Sequence, residues 1–563
     1  MNKKWNICDI NENKVEEISK KYNLNRLLST ILVNRNIVEK NDIDLFLNPT
    51  RNDFHDPFLM IDIKPAINRI KKAISDKEKV TIYGDYDVDG ITSVTVLKSF
   101  LHDIGLETSV YIPNRLHEGY GLNKEAIAKI HKDYNSTLMI TVDCGITGVE
   151  EVEFAKTLGI ETIVTDHHEP SSKIPKAIAV VDNKRQESKY PFRELAGVGV
   201  TFKLIQALSI ELGLKPEAYL KYLDIVCLGT ISDIVPLVDE NRVITKLGLM
   251  LVNQTKNIGL KSIINISGYK KIDSNAISFG VAPRLNACGR LGKADDALQL
   301  LLSNNVMEVQ ELTKKINGYN LERQKIEKEI YDSAIAKIEK ENLDKNDTIV
   351  VSGENWHHGV IGIVSSKITE KYFKPSILLS FDGEAGKGSG RSIPGFDLYN
   401  ALTKCLDCIE QFGGHAMAIG LTVKKEKLDE FKEKFEEQAR SEHIEDIVPI
   451  INIDARVSIS EVSRDMVESL KGLEPYGEGN SMPIFAFKNL KIDSIRALSE
   501  GKHLKLTIRE NNTIVNAIGF NLGQLANLYK IGDKVDIAGV LEINSFNGVD
   551  SLQINIKDIM KSV

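Results

Sequence analysis

The sequence is poor in the features that mark several broad protein classes. Six cysteines are scattered over 563 residues, too few for a disulfide framework, which points to a reducing compartment. The one close pair, Cys405 and Cys408, has no second pair to complete a zinc site, so both are expected to be packing residues. No apolar run approaches the roughly 20 residues that span a bilayer. The opening stretch MNKKWNICDINENK shows no apolar segment after its lysines, so no secretory signal is expected. A cytoplasmic protein without a membrane partner is the resulting expectation. Basic excess is missing too. The net charge of −7 argues mildly against a nucleic-acid partner, although an acidic metal site would add negative charge of its own. Internal repeats and low-complexity tracts are also lacking.

What is present is the composition of an ordinary globular protein, 42% hydrophobic and 27% charged. The chain is too long for one core, so three or four domains are expected. Residues 1–75 read as a helical lead-in ending in the turn-rich LFLNPTRNDFHDPFLM. From there to about residue 305, short β-branched runs (VTIY, TLMITV, ETIVT, AIAVV) alternate with amphipathic helical stretches. Such runs suit strands buried on both faces of a parallel sheet, and the alternation predicts a doubly wound α/β domain. Residues 306–345 form one long, charged helical pattern, better suited to connecting domains than to filling a core. A second α/β unit is expected over 346–445, with strands TIVV, SILLSF and AMAIGLTV. The alternating strands of 446–563 predict a small OB-like β-barrel.

Chemistry concentrates at strand ends. Directly after VTIY comes Gly84-Asp85-Tyr86-Asp87-Val88-Asp89-Gly90. Three carboxylates at alternate positions repel one another unless protons or a cation compensate. An EF-hand loop opens in the same way, but it needs a preceding helix and a Glu at its twelfth position, which here is Val96. A solvated acidic turn stays open on this motif alone. Asp143 follows TLMITV, and Asp166-His167-His168 follow ETIVT. Both lie where open α/β sheets bind ligands, beyond the carboxyl ends of strands. Asp233 ends the apolar run of CLGTISDIVPL; taken singly it is an ordinary helix-end carboxylate. A mixed set of carboxylates and imidazole suits Mn²⁺ or Mg²⁺, and a pair of such ions would promote in-line displacement at phosphorus.

DYDVDG, VDCGIT, DHH and TISDIVPL, in this order, resemble the successive motifs of the DHH phosphoesterases. LFLNPTRNDFHDPF, PNRLHEGYGL and FGVAPRLNACGR resemble stretches found in RecJ-like exonucleases. WHHGVIGIVSSK, GKGSGRS and GGHAMAIG resemble the DHH-associated second domain, and LEPYGEGN the entry to the RecJ-type OB domain. The resemblance covers almost the whole chain.

It implies a 5′→3′ exonuclease that hydrolyses single-stranded DNA to 5′-mononucleotides with two ions of Mn²⁺ or Mg²⁺, in recombination and repair. It places Asp87, Asp89, Asp143, His167 and Asp233 as metal ligands, with Asp143 bridging, and Asp85 as a further catalytic participant. His168 is implied to contact the scissile phosphate or orient the attacking water, and Asp166 to support its neighbours. Gly388, Ser389, Gly390, Arg391 and Ser392 are expected to form a turn that holds the 5′ phosphate, with Arg115, Arg284 and Arg290 as further contacts. His357 and His358 are placed beside that cleft without a role, and Gly413, Gly414 and His415 are read as more structural than catalytic. A monomer is expected, with a single-strand-binding protein or helicase as partner. The alternatives are a DHH-family oligoribonuclease or cyclic-dinucleotide phosphodiesterase, which are usually shorter and lack the N-terminal segment and the barrel, and an inactive scaffold, which typically loses the motif carboxylates.

Overall fold

The computed structural model describes residues 3–119, 121–546 and 549–562; Tyr120, within PNRLHEGYGL, lies outside them. The chain divides into two compact units. One comprises Phe54–Pro236 and Ile244–Ile447, the other Met1–Asp53, Leu237–Val243 and Val448–Val563.

In the first unit, the runs read as buried strands form a five-stranded, wholly parallel sheet. Its strands are β1 (Val80–Tyr83), β2 (Thr108–Tyr111), β3 (Leu138–Val142), β4 (Glu161–Asp166) and β5 (Ala179–Asp182), in the order β2-β1-β3-β4-β5. β1 and β3 are buried at every residue, as a sheet covered on both faces requires. The strand order reverses between β1 and β3, and a ligand crevice opens at such a switch point. Helix α1 (Val88–Asp103) starts there, N-capped by Asp87, whose side chain accepts from the Gly90 amide. Two further buried helices, α2 (Gly197–Glu211) and α3 (Leu223–Ser232), pack against α1. α4 (Ala282–Arg290) brings Gly289 against the Tyr86 backbone.

The charged pattern after residue 305 is one helix, α5 (Val306–Glu341), about 54 Å long at 1.5 Å per residue. It connects, as expected, but it is also core: Ile330, Ala334 and Ile338 pack against Ile349, Val351 and Val360. Its narrow apolar stripe is diluted by charge on the remaining faces, which is why it read as solvent-bridging. Beyond it lies a second five-stranded sheet, with β6 (Ile349–Glu354) parallel to β7 (Ser376–Asp382). Antiparallel strands β8 (Ala385–Arg391), β9 (Ile409–His415) and β10 (Ala418–Lys424) complete the order β9-β10-β8-β7-β6. Helix α6 (His358–Tyr372) packs on β7 and β8. Cys405 and Cys408 are buried in this sheet's core.

In the second unit, β11 (Phe485–Leu498), β12 (His503–Glu510), β13 (Thr513–Gly519), β14 (Lys534–Phe546) and β15 (Val549–Lys561) close into a barrel in the order β11-β12-β13-β15-β14-β11. The division expected at residue 75 is not where the chain divides. Ile18, Leu28, Ile31 and Leu32 of the N-terminal helices share one core with Phe485, Leu506 and Ile537 of the barrel, whereas residues 54–75 belong to the unit of the parallel sheet. Among the described residues, no helix is long and apolar enough to cross a membrane.

Candidate active site

The switch point gathers the polar residues of four motifs. Asp85, Asp87 and Asp89 leave β1 and enter α1. Asp143 follows β3, Asp166 ends β4 with His167 and His168 behind it, and Asp233 caps the end of α3. His167 Nε2 lies 3.2 Å from Asp143 Oδ1, 3.7 Å from Asp233 Oδ2 and 3.9 Å from Asp89 Oδ2. Three overlapping triads each bring one ligand atom per residue within 4.8 Å of the others: Asp85–Asp87–Asp143, Asp89–His167–Asp233 and Asp143–His167–His168. Asp143 and His167 each belong to two triads, so the ligand atoms form two lobes joined at these residues.

The protonation behaviour fits a cation-binding centre. Burial, with repulsion from Asp87, pushes Asp89 up to about 7 and Asp85 well above the usual carboxylate range. Burial and the surrounding carboxylates do the same to Asp143 and Asp233. Burial lowers His167 to about 3, which leaves a neutral imidazole, the form that ligates metal. Asp85 Oδ1, Asp143 Oδ1 and both His167 ring nitrogens are buried without a hydrogen-bond partner. Native proteins rarely leave such atoms unsatisfied, and oxygen donors with one imidazole match Mn²⁺ or Mg²⁺. The residues fit the metal.

Asp166 is a support. It accepts from the Ile146 amide (2.9 Å), the His167 amide (2.7 Å) and His168 Nδ1 (2.7 Å). These contacts outweigh burial and hold its carboxyl below the usual range. Burial works against the charge on His168, but the bond to Asp166 and the nearby carboxylates raise it above an ordinary histidine. His168 is thus held to Asp166 through Nδ1, with a ring nitrogen near the ligand atoms of Asp143 and His167.

Two contributors lie outside the four motifs. The α2 amides of Gly197 and Val198 donate to Asp89 Oδ2 and Oδ1 at 2.7 and 2.8 Å, so a helix N-terminus fixes this carboxylate. Gly197 must be glycine, because a Cβ there would lie 2.4 Å from Asp143 Oδ1. A small-residue run opening an apolar helix (LAGVGV) was the available clue. Asp182, at the end of β5 beside Asp166, is pushed up to about 7 by burial. A carboxylate at a strand end is the same signal that marks Asp143.

The basic residues divide into two groups. Arg290 is lowered to about 10 by burial and by Arg115, Arg323 and Arg391 around it, with Asp87 also near; Arg323 is already paired with Glu327. Arg115 stacks over the Tyr86 ring at 5.1 Å, and Arg290 Nη1 donates to the Gly359 carbonyl at 3.0 Å. Arg284 instead turns away, donating to Asn317 Oδ1 (3.1 Å) and the Gly280 carbonyl (2.5 Å). The expected Gly388–Ser392 turn is a correction. Residues 385–391 are the middle strand of the second sheet, paired on both edges, so the amides of Gly388 and Gly390 serve the ladder and cannot cradle a phosphate. Both glycines face the core, where a Cβ would meet Leu379 and Ile419 respectively. Ser389 and Arg391, on the other face, are joined at 3.0 Å and lie against Gly362 of α6. Ser392 is buried and donates to the Phe396 carbonyl at 2.8 Å. Glycine richness read as a turn because β-propensity counts against glycine, whereas here close strand packing demands it.

His357 caps α6, its Nδ1 accepting from the Gly359 amide at 3.1 Å. Burial lowers His358, with Lys387 adding to the effect. Gly414, at φ 139°, belongs to the β9–β10 pairing. Asp407, Cys408 and Glu430 also approach one another, but Lys434 bridges the two carboxylates and satisfies their charge.

Family models match three stretches: the DHH family N-terminal domain over residues 79–230, the DHHA1 domain over 346–441 and the RecJ OB domain over 453–558. A Bacillus subtilis protein described as single-stranded-DNA-specific exonuclease RecJ is 39% identical over 561 residues, 99% of this chain and 70% of its own. The crystal structure of Thermus thermophilus RecJ with Mn²⁺ superposes with a TM-score of 0.85 at 28% identity, covering 100% of this chain and 80% of that one. The same protein with Mg²⁺ gives 0.77 at 26% identity, covering 100% and 79%.

Proposed function

The chain belongs to the RecJ family, and from that premise we propose that it is a metal-dependent exonuclease that removes 5′-mononucleotides from single-stranded DNA in the 5′→3′ direction. The observation that supports this reading most directly is the pair of ligand lobes joined at Asp143 and His167, with clustered guanidiniums beside Asp87. Asp85, Asp87, Asp89, Asp143, His167 and Asp233 would hold two ions of Mn²⁺ or Mg²⁺. When bound, such ions supply positive charge for the scissile phosphate and acidify water.

The remaining work falls to the chain's own groups. Asp166 anchors His168 and favours its charged form, so that His168 donates to a non-bridging phosphate oxygen as negative charge grows. The α2 amides keep Asp89 from rotating. Arg115, Arg290 and Arg391, with Ser389, form an anion pocket that takes the terminal phosphate; the domain over 346–445 thus holds the strand end while the one over 76–305 cuts. The barrel over 446–563 binds the strand further along by charge and stacking. A monomer in the cytoplasm, supplied with single strands by a helicase or single-strand-binding protein in recombination and repair, is the setting this family reading implies. The oligoribonuclease or cyclic-dinucleotide alternative is disfavoured by the barrel and by likeness over the full chain.

Three end-labelled duplexes test the proposal: a 5′ overhang, a 3′ overhang and a blunt end, each with Mn²⁺. Trimming of the 5′ overhang alone, stopping near the junction, is expected. Preferential loss of the 3′ overhang would overturn the polarity, and rapid loss of the blunt duplex would overturn single-strand specificity.

A further inference from the structure

Helix α3 ends at Ser232, and the chain passes through Asp233 into Ile234 with φ +62°. Left-handed backbone at this position normally belongs to Gly or Asn. A β-branched residue there is an outlier that costs about 1–3 kcal/mol. Strain of this kind is usually repaid by packing of the side chain, yet Ile234 is 72% exposed. The preceding residue, Asp233, reaches His167 at 3.7 Å. An aliphatic side chain is therefore presented to solvent, at a cost in stability, one residue from the catalytic carboxylates.

We propose that Ile234 contacts the substrate, its side chain forming an apolar surface on which the base beside the scissile phosphate rests. The assignment depends on the single-stranded-DNA reading above, and a nucleobase is the largest apolar face that such a strand brings to the centre. Aliphatic contact with an unstacked base is sequence-tolerant, as a non-specific exonuclease requires.

The test uses the full chain with Mn²⁺, ordinary single strands, and strands carrying a tetrahydrofuran abasic residue at the first or second position. Ile234→Asn tolerates the left-handed backbone. Its Tm should match or exceed the wild type, while kcat/KM on ordinary strands falls about tenfold, the size of one base contact. On the abasic strands the variant and wild type should agree within about twofold, and Ile234→Leu should restore the ordinary-strand rate. An equal loss on ordinary and abasic strands, no loss on either, or a Tm lowered by several degrees would each overturn the contact. Wild-type protein inactive on every single strand would overturn the exonuclease reading and this contact with it.

Discussion

Replacing Gly197 by Ala adds one methyl group at the point where α2 meets the carboxylates. The new Cβ would lie 2.4 Å from Asp143 Oδ1 and 2.7 Å from Asp143 Cγ. Ordinary contact needs about 3.4 Å, so either the helix or the carboxylate must move by about 1 Å. α2 is buried along nearly its whole length, and close-packed interiors yield such room reluctantly. If the helix backs away, the 2.7 and 2.8 Å bonds from Gly197 and Val198 to Asp89 are lost, at about 1.5–3 kcal/mol each for bonds to a charged group. If Asp143 swings instead, it leaves the 3.2 Å approach to His167. Either route misplaces a carboxylate by about 1 Å, an error that costs on the order of 100-fold in rate. Overpacking adds about 1–3 kcal/mol of destabilisation, a few degrees in Tm. The assay pairs steady-state nuclease rates over a Mn²⁺ titration with a thermal melt. Gly318→Ala on the exposed face of α5, where a Cβ meets nothing within 4 Å, controls for the methyl group and should leave activity unchanged. A Gly197→Ala enzyme within about threefold of wild type, with the same Mn²⁺ dependence, would refute the reasoning.

Asp143→Asn should lower turnover by about 100-fold or more yet raise the Tm of the metal-free protein, because it removes one of several crowded carboxylates; nuclease rates and melts in chelator check both. Arg391→Ala should cost about 1.5–3 kcal/mol on 5′-phosphorylated strands, tenfold or more in kcat/KM, and much less on 5′-hydroxyl strands; equal losses on the two would refute a terminal-phosphate contact. Asp85, Asp89, Asp143 and Asp233 all stand above their ordinary values, Asp89 at about 7. The folded protein thus binds more protons than the unfolded chain, and the stability these groups contribute, present below about pH 4, is lost as pH rises through 7. Metal ions replace those protons, so the Tm gain from Mn²⁺ should be clearly larger at pH 8 than at pH 5.5; equal gains would refute it.

The parallel sheet and the strand-end ligands were legible because burial on both faces leaves a strong local pattern: VTIY and TLMITV have no other reading between turn residues. Asp85, Asp143 and His167 were legible for a related reason, since a polar residue ending such a run has only the crevice to enter. What stayed hidden depends on non-local packing. The amphipathic N-terminal helices announce a buried face, but nothing in them says that Ile18 and Ile31 meet Phe485 and Leu506. Gly388–Gly390 read as a turn because glycine's local preference is flexibility, whereas the tight approach of Leu379 and Ile419 decides the outcome. Gly197 was invisible for the converse reason: its importance lies wholly in the Asp143 side chain that it leaves room for.

The two charged clusters also explain why the arginines stand outside the carboxylate pocket. A guanidinium among Asp85, Asp89, Asp143 and Asp233 would satisfy them as Lys434 satisfies Asp407 and Glu430, and it would take the place of the metal. Instead the carboxylates are balanced only in part, by the α2 amides and by His168 through Asp166. Burial and the neighbouring guanidiniums together lower Arg290 to about 10. Each cluster is left with an unmet preference of opposite sign, one for cations and one for an anion. On the proposed reading, a nucleic-acid strand and divalent metal would meet both: the carboxylates would hold the metal and the arginines a second phosphate. Binding of metal and of strand should therefore be mutually reinforcing, because each removes repulsion that the other would otherwise face.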